Sequence, residues 1–132
     1  MTVAVAHQVS PTSLLAIQQA ASEAQYRGTD LAVLHVTDSA LDADRREAYR
    51  LGIADDIERA LGSDVSVDWR LHLVTSKADI GGEVVALAEE VGADLLVIGA
   101  RRRSPVGKAF LGSVAQTIIL QADVPVLVVK TP

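Results

Sequence analysis

Cysteine is absent from the 132 residues. Disulfides, thiolate catalysis and cysteine-ligated zinc are therefore excluded. Aromatic residues are scarce, with one Trp, two Tyr and one Phe, so Ala, Val, Leu and Ile must fill any core. No apolar run approaches the roughly 20 residues of a membrane span. The amino terminus lacks the basic-then-apolar pattern of a signal peptide. A cytoplasmic protein with no membrane partner is the expectation. A Walker A loop is also missing. Gly107-Lys108 is followed by Ala109 instead of a hydroxyl residue, and Arg102 stands where its first glycine would be. The dinucleotide fingerprint Gly-x-Gly-x-x-Gly does not follow the first apolar segment. The three histidines, His7, His35 and His72, show no metal-ligand spacing, so no metal is expected.

What is present is an apolar chain, 49% hydrophobic and 22% charged. Its length fits one α/β domain over residues 1–132. The net charge of −5 argues against nucleic acid as a partner. Strand patterns fall at Thr2–His7, Leu31–Val36, Val65–Val74, Leu95–Ile98 and Val126–Lys130. Helical patterns fall at Pro11–Arg27, with Ser10 as cap, at Asp42–Leu61, at Asp79–Val91 and after Ser113. The inward helical faces read as Leu14, Ile17, Ala21 and Ala24, then Ala48, Leu51, Ile57 and Leu61, then Ile80, Val84, Leu87, Ala88 and Val91. Gly28, Gly62 and Gly92 each end a helix, where the left-handed conformation suits glycine. Strict alternation implies an open, five-stranded parallel sheet with helices on both faces. The third strand alternates polar and apolar residues and belongs at an edge.

Between Gly99 and Gly112-Ser113 lies a basic loop carrying Arg101, Arg102, Arg103, Gly107 and Lys108. A strand, a glycine-bearing basic loop and a helix start are the parts of an anion cradle. A solvated loop explains the same charges equally well. Ser113 and Gln116 fit a capping box. His7 ends the first strand, where open parallel sheets bind ligands, and a structural cap is the competing reading. Asp38 and Asp42 follow the second strand at the same end, and His35 reads as a satisfied core histidine.

Taken together, Asp94-Leu95-Leu96-Val97-Ile98-Gly99, Leu111-Gly112-Ser113-Val114-Ala115, Val124-Pro125-Val126-Leu127-Val128-Val129 and Leu34-His35-Val36 resemble the universal stress protein family, bacterial A-type, over essentially the whole chain. The resemblance implies a Rossmann-like sheet of order 3-2-1-4-5 and a homodimer through residues 126–130. Nucleotide-binding members carry Gly-x2-Gly-x9-Gly-Ser/Thr. Gly99, Gly112 and Ser113 match it, while Arg102 replaces the second glycine. Such members place an aspartate where this chain has His7. Val36 matches a position touching adenine, and Val114 a position of the phosphate loop. The resemblance thus implies a stress-response binding or signalling domain, not an enzyme beyond weak ATPase activity. Its degenerate site would involve His7, Val36, Gly99, Arg102, Gly107, Gly112, Ser113 and Val114, with ATP, AMP or phosphate weakly bound. The alternative is a nucleotide-independent dimeric interaction module with a vestigial loop.

Overall fold

A computed structural model describes residues 1–8, 11–38, 40–63, 65–77, 79–101 and 112–131. In chain order these form β1 (Thr2–Ala6), α1 (Pro11–Arg27), β2 (Asp30–Thr37), α2 (Ala43–Leu61), β3 (Trp69–Thr75), α3 (Ile80–Glu90), β4 (Leu95–Arg101), α4 (Ser113–Gln121) and β5 (Val126–Thr131). The strands make one sheet in the order β3-β2-β1-β4-β5, every pair parallel. This is the expected architecture, with β3 at one edge and β5 at the other.

The helices cover opposite faces. On one, Ala16, Ile17, Ala20, Ala21 and Ala24 of α1 and Ile53 and Ile57 of α2 bury Val3, Val5, Leu31, Val33 and Val97. On the other, Val84, Leu87 and Ala88 of α3 and Ala115 and Ile118 of α4 bury Ala4, Ala32, Leu34, Val36, Leu96 and Ile98. Small side chains on α1 let it lie close to the sheet, which compensates for the shortage of aromatics. Alternate strand residues feed the two layers, so β1, β2 and β4 are apolar on both sides.

The glycine punctuation is confirmed. Gly28, Gly62 and Gly92 have φ of +65°, +68° and +70°, a region costly for any residue with a Cβ. Gly81 serves a different purpose. A Cβ there would lie 2.7 Å from Thr117 Cβ, so its absence lets α3 and α4 close on each other.

Several boundaries and faces differ from expectation. Residues 65–68 are not strand, because β2 offers no ladder before Asp30; the first link is Leu31 N–H to the Asp68 carbonyl at 2.9 Å. Strand β4 runs on to Arg101, paired with β5 throughout. On α2 the buried residues are Ile53, Ile57, Ala60 and Leu61, with Tyr49 partly buried on the same face; Ile57 and Leu61 are inward as expected. Ala48 is exposed and Leu51 is 55% exposed on the far side. Leu14 is likewise partly exposed. Asp42 and Asp79 are the N-caps of α2 and α3 instead of their first residues, and Asp42 accepts from Arg45 N–H at 2.9 Å. The proposed cap Ser10 lies outside the described residues.

Candidate functional site

The carboxyl ends of β1, β2 and β4 and the start of α4 meet at one end of the sheet. Between them lies a cleft of about 270 Å³, just below the usual range of small-molecule sites. Val36 from β2, Ile80 and Val84 from α3 and Val114 from α4 form its apolar walls. Gln8, Thr37 and Asp38 bring polar groups to it, while His7, His35 and Tyr49 lie along its α2 side. Through Ala6, Gln8 and Val114 the cleft continues towards Gly99, Ser13 and Ala115. A wider cleft of about 590 Å³ opens at the amino ends of the strands, beside Thr2, Asp30 and Arg70. Crossover topology directs ligands to the carboxyl ends, so the smaller cleft is the candidate.

The strand register builds the histidine pair. Residues 2 to 6 of β1 pair with residues 30 to 34 of β2, an offset of 28. The same offset sets position 7 beside position 35, on one face of the sheet. His7 Nδ1 and His35 Nδ1 lie 2.9 Å apart, and His35 Nε2 lies 2.8 Å from the Tyr49 hydroxyl. His7 Nε2 is buried without a hydrogen-bond partner, facing Asp56 Oδ2 at 3.7 Å. That separation exceeds hydrogen-bonding reach, so Asp56 acts on His7 as a charge. Burial, and then the neighbouring His35, push the His7 imidazole down to about 4, against a smaller upward pull from Asp56. Burial also lowers His35, offset in part by a hydrogen bond with the His7 backbone. Burial thus favours the neutral form of both rings.

The other sequence candidates converge on the cleft where they are described. Val36 is buried in its wall, Gly99 lies at the end of β4, and Val114 bridges the cleft and the α4 start. The capping box is not formed. Gly112 is the N-cap of α4, with no side-chain capping bond, and Ser113 is the first helical residue. Glycine's φ of −64° and ψ of 164° there is ordinary extended backbone, so the helix begins one residue earlier than a Ser113 cap requires. The amides of the first turn, Ser113 to Ala115, have no intrahelical acceptor. Arg102, Arg103, Gly107 and Lys108 lie outside the described residues.

His35 is a satisfied core histidine, as expected, but pairing between His7 and His35 was not anticipated. The signal was the common position of both residues at the ends of adjacent parallel strands. Tyr49 and Asp56 were missed because they belong to the face of α2 that was misread. Their spacing of seven, with Ile53 between, puts them on one stripe. Gln8 and Ser13 were also missed; Ser13 Oγ accepts from Gln8 N–H at 2.9 Å and closes the turn from β1 into α1. His72 sits on the β3 edge strand, lining the wider cleft. Among the described residues, no group of three or more His, Asp or Glu could hold a metal ion. Among them, too, no helix is long and apolar enough to cross a membrane.

Comparison with known proteins agrees with this architecture. Residues 1–130 match the model of the Universal stress protein family. A universal stress protein from Mycolicibacterium smegmatis is 36% identical over 128 residues, covering 97% of this chain and 96% of the relative. The structure of the universal stress protein from Archaeoglobus fulgidus in complex with dAMP superposes with a TM-score of 0.72 at 28% identity, covering 97% of this chain and 96% of the other. A universal stress protein in complex with cAMP gives 0.72 at 26% identity, covering 100% and 98%. The sheet order, the glycine-punctuated helices and these matches lead to one conclusion: the chain belongs to the universal stress protein family.

Proposed function

We propose that the cleft between β2, α3 and α4 is a weak adenine-nucleotide site, used for binding and signalling and not for turnover. The observation that carries this reading is the apolar slot of Val36, Ile80, Val84 and Val114, open onto an α4 start whose N-cap, Gly112, has no side chain. A flat heterocycle suits the slot, and a phosphate suits the positive end of the helix. The relatives bound to dAMP and cAMP support an adenosine monophosphate as the ligand class.

Two features weaken the site. Arg102 takes the place of a motif glycine, filling space that a backbone would leave for a phosphate or ribose. Arginine also brings five donors and a fixed charge, so an anion is still accepted. His7 stands where an acid would offer a ribose acceptor, and its Nδ1 is engaged by His35. Affinity for AMP or ATP in the tens of micromolar or poorer follows, roughly −6 kcal/mol or less favourable. Calorimetry on the wild-type protein and on Arg102→Gly tests this. Tighter binding by the variant supports the reading; unchanged binding removes Arg102 from it.

The protein works as a homodimer on this reading. Strand β5 is an edge strand with Val126, Leu127, Val128 and Val129 only half-buried in the single chain. Such an edge invites pairing with a second copy about a two-fold axis. A nucleotide-independent dimer is the second reading, favoured by the engagement of His7 within the protein.

A further inference from the structure

Tyr49, His35, His7 and Asp56 form one line of polar contacts along the α2 side of the slot. Two of them end strands β1 and β2, and two lie on a single stripe of α2. One proton occupies the space between the two Nδ1 atoms, and its owner sets the direction of the whole line. If His7 donated it, His7 Nε2 would turn a bare lone pair towards the Asp56 carboxylate. If His35 donates it, His7 carries its other hydrogen on Nε2, towards that carboxylate. His35 Nε2 then accepts from the Tyr49 hydroxyl. Only the second arrangement is attractive at every link.

We propose that this line is a proton-gated latch: while the histidine pair is neutral it holds α2 against the ends of β1 and β2, and when the pair takes up protons it releases α2 and reshapes the slot.

The arrangement leaves no place for two charges. A first added proton lands on His35 Nε2, and the Tyr49 hydroxyl turns from donor to acceptor. The shared proton can then cross to His7 Nδ1, so this first charge reaches the ring that faces Asp56. The other charged group at this carboxylate is Arg59, which holds Asp56 Oδ1 at 2.5 Å. A second added proton sets two N–H donors against each other across 2.9 Å, with no acceptor between them. The backbone cannot yield, because His7 N–H donates to the Leu34 carbonyl at 2.8 Å and both strands are in the ladder. The rings and α2 must move instead.

Other elements also border the pair. From β3 the neighbours are Leu71 and Leu73, with the Arg46 guanidinium donating to the Leu73 carbonyl. From α1 it is Ser13, bonded to Gln8. Asp38 borders the cleft on the loop after β2 and is exposed. Asp56 thus faces the pair as a single carboxylate, enough for one added charge and not for two.

The latch is read without any ligand, by 15N NMR of the imidazoles and of the α2 amides between pH 7.5 and 4. The expected result is a neutral His35 with its hydrogen on Nδ1 and a neutral His7 with its hydrogen on Nε2. Both should titrate below the usual histidine range, with amides of Tyr49 to Asp56 shifting over the same interval. Tyr49→Phe, which keeps the ring, should release those amides at a higher pH. The reverse tautomers, or titration with α2 undisturbed, would overturn the proposal. A second arm rests on the nucleotide reading. AMP affinity should fall at least tenfold from pH 7.5 to 4.5, relative to the change in the double variant His7→Asn, His35→Gln. An equal change in both proteins overturns the effect on the slot. Absence of AMP binding at pH 7.5 overturns the nucleotide reading, while the NMR result still decides the latch.

Discussion

Gly81→Ala and Gly52→Ala make the same chemical change in two helices and should move stability in opposite directions. A helical alanine is more favourable than glycine by about 0.8–1 kcal/mol when nothing else changes. At Gly52 in α2, an added Cβ meets nothing within 4 Å, so most of that gain should appear. At Gly81 in α3, the Cβ falls 2.7 Å from Thr117 Cβ, 2.9 Å from its Cγ2 and 3.1 Å from the Val114 carbonyl oxygen. Two of these three atoms are rigidly tied to the α4 backbone, so α4 must back away by several tenths of an ångström. Overpacking of this kind costs about 1–3 kcal/mol. The net effect at Gly81 is therefore a loss of up to about 2 kcal/mol, and the two variants should differ by the overpacking cost itself, about 1–3 kcal/mol. Urea unfolding followed by circular dichroism measures both midpoints, with unchanged slopes as the check that only stability has moved. Because Ile80, Val84 and Val114 all wall the slot, Gly81→Ala should also weaken AMP binding, whereas Gly52→Ala should not. A Gly81→Ala protein stabilised as much as Gly52→Ala would refute the close approach of α3 to α4.

Three further outcomes follow. Stability should fall as pH falls from 6.5 to 4, because the unfolded chain binds a proton at His7 that the folded chain refuses. The drop from 6.5 to about 4 corresponds to as much as about 3 kcal/mol at the acid end, and His7→Asn should lose that part of the slope in unfolding measured across the window. Light scattering at micromolar concentration should give a dimer mass, and a monomer mass would remove β5 as a pairing edge. Val114→Trp should abolish AMP binding by filling the slot at its α4 wall, with a far-ultraviolet spectrum like the wild type's as the check on folding.

The sheet was legible because its signals are local and redundant. Glycines at 28, 62 and 92 mark helix ends, apolar runs mark strands covered on both faces, and alternation marks β3 as an edge. Helix faces were less legible where two phases compete. On α2, Ile57 and Leu61 were read correctly, but Ala48 and Leu51 suggested a phase that Tyr49 and Ile53 overturn, and only contact with the sheet decides between them. The site was half visible. Gly99 and Gly112 were marked by a strand end and a helix start, and Val36 and Val114 by the family resemblance alone. The His7–His35 pair depends on the register between β1 and β2, a non-local quantity that neither residue's neighbours encode. The start of α4 was read one residue late, because Ser113 offers a better capping side chain than Gly112 and the chain nonetheless turns at the glycine.

Calorimetric titration of the ligand-stripped protein with AMP at pH 7.5 tests the central claim, a weak adenine-nucleotide site in the slot. The account predicts saturable binding with a dissociation constant of tens of micromolar or poorer, lost in Val114→Trp. Submicromolar affinity would contradict the weakening assigned to Arg102 and His7, and binding that survives Val114→Trp would contradict the slot itself.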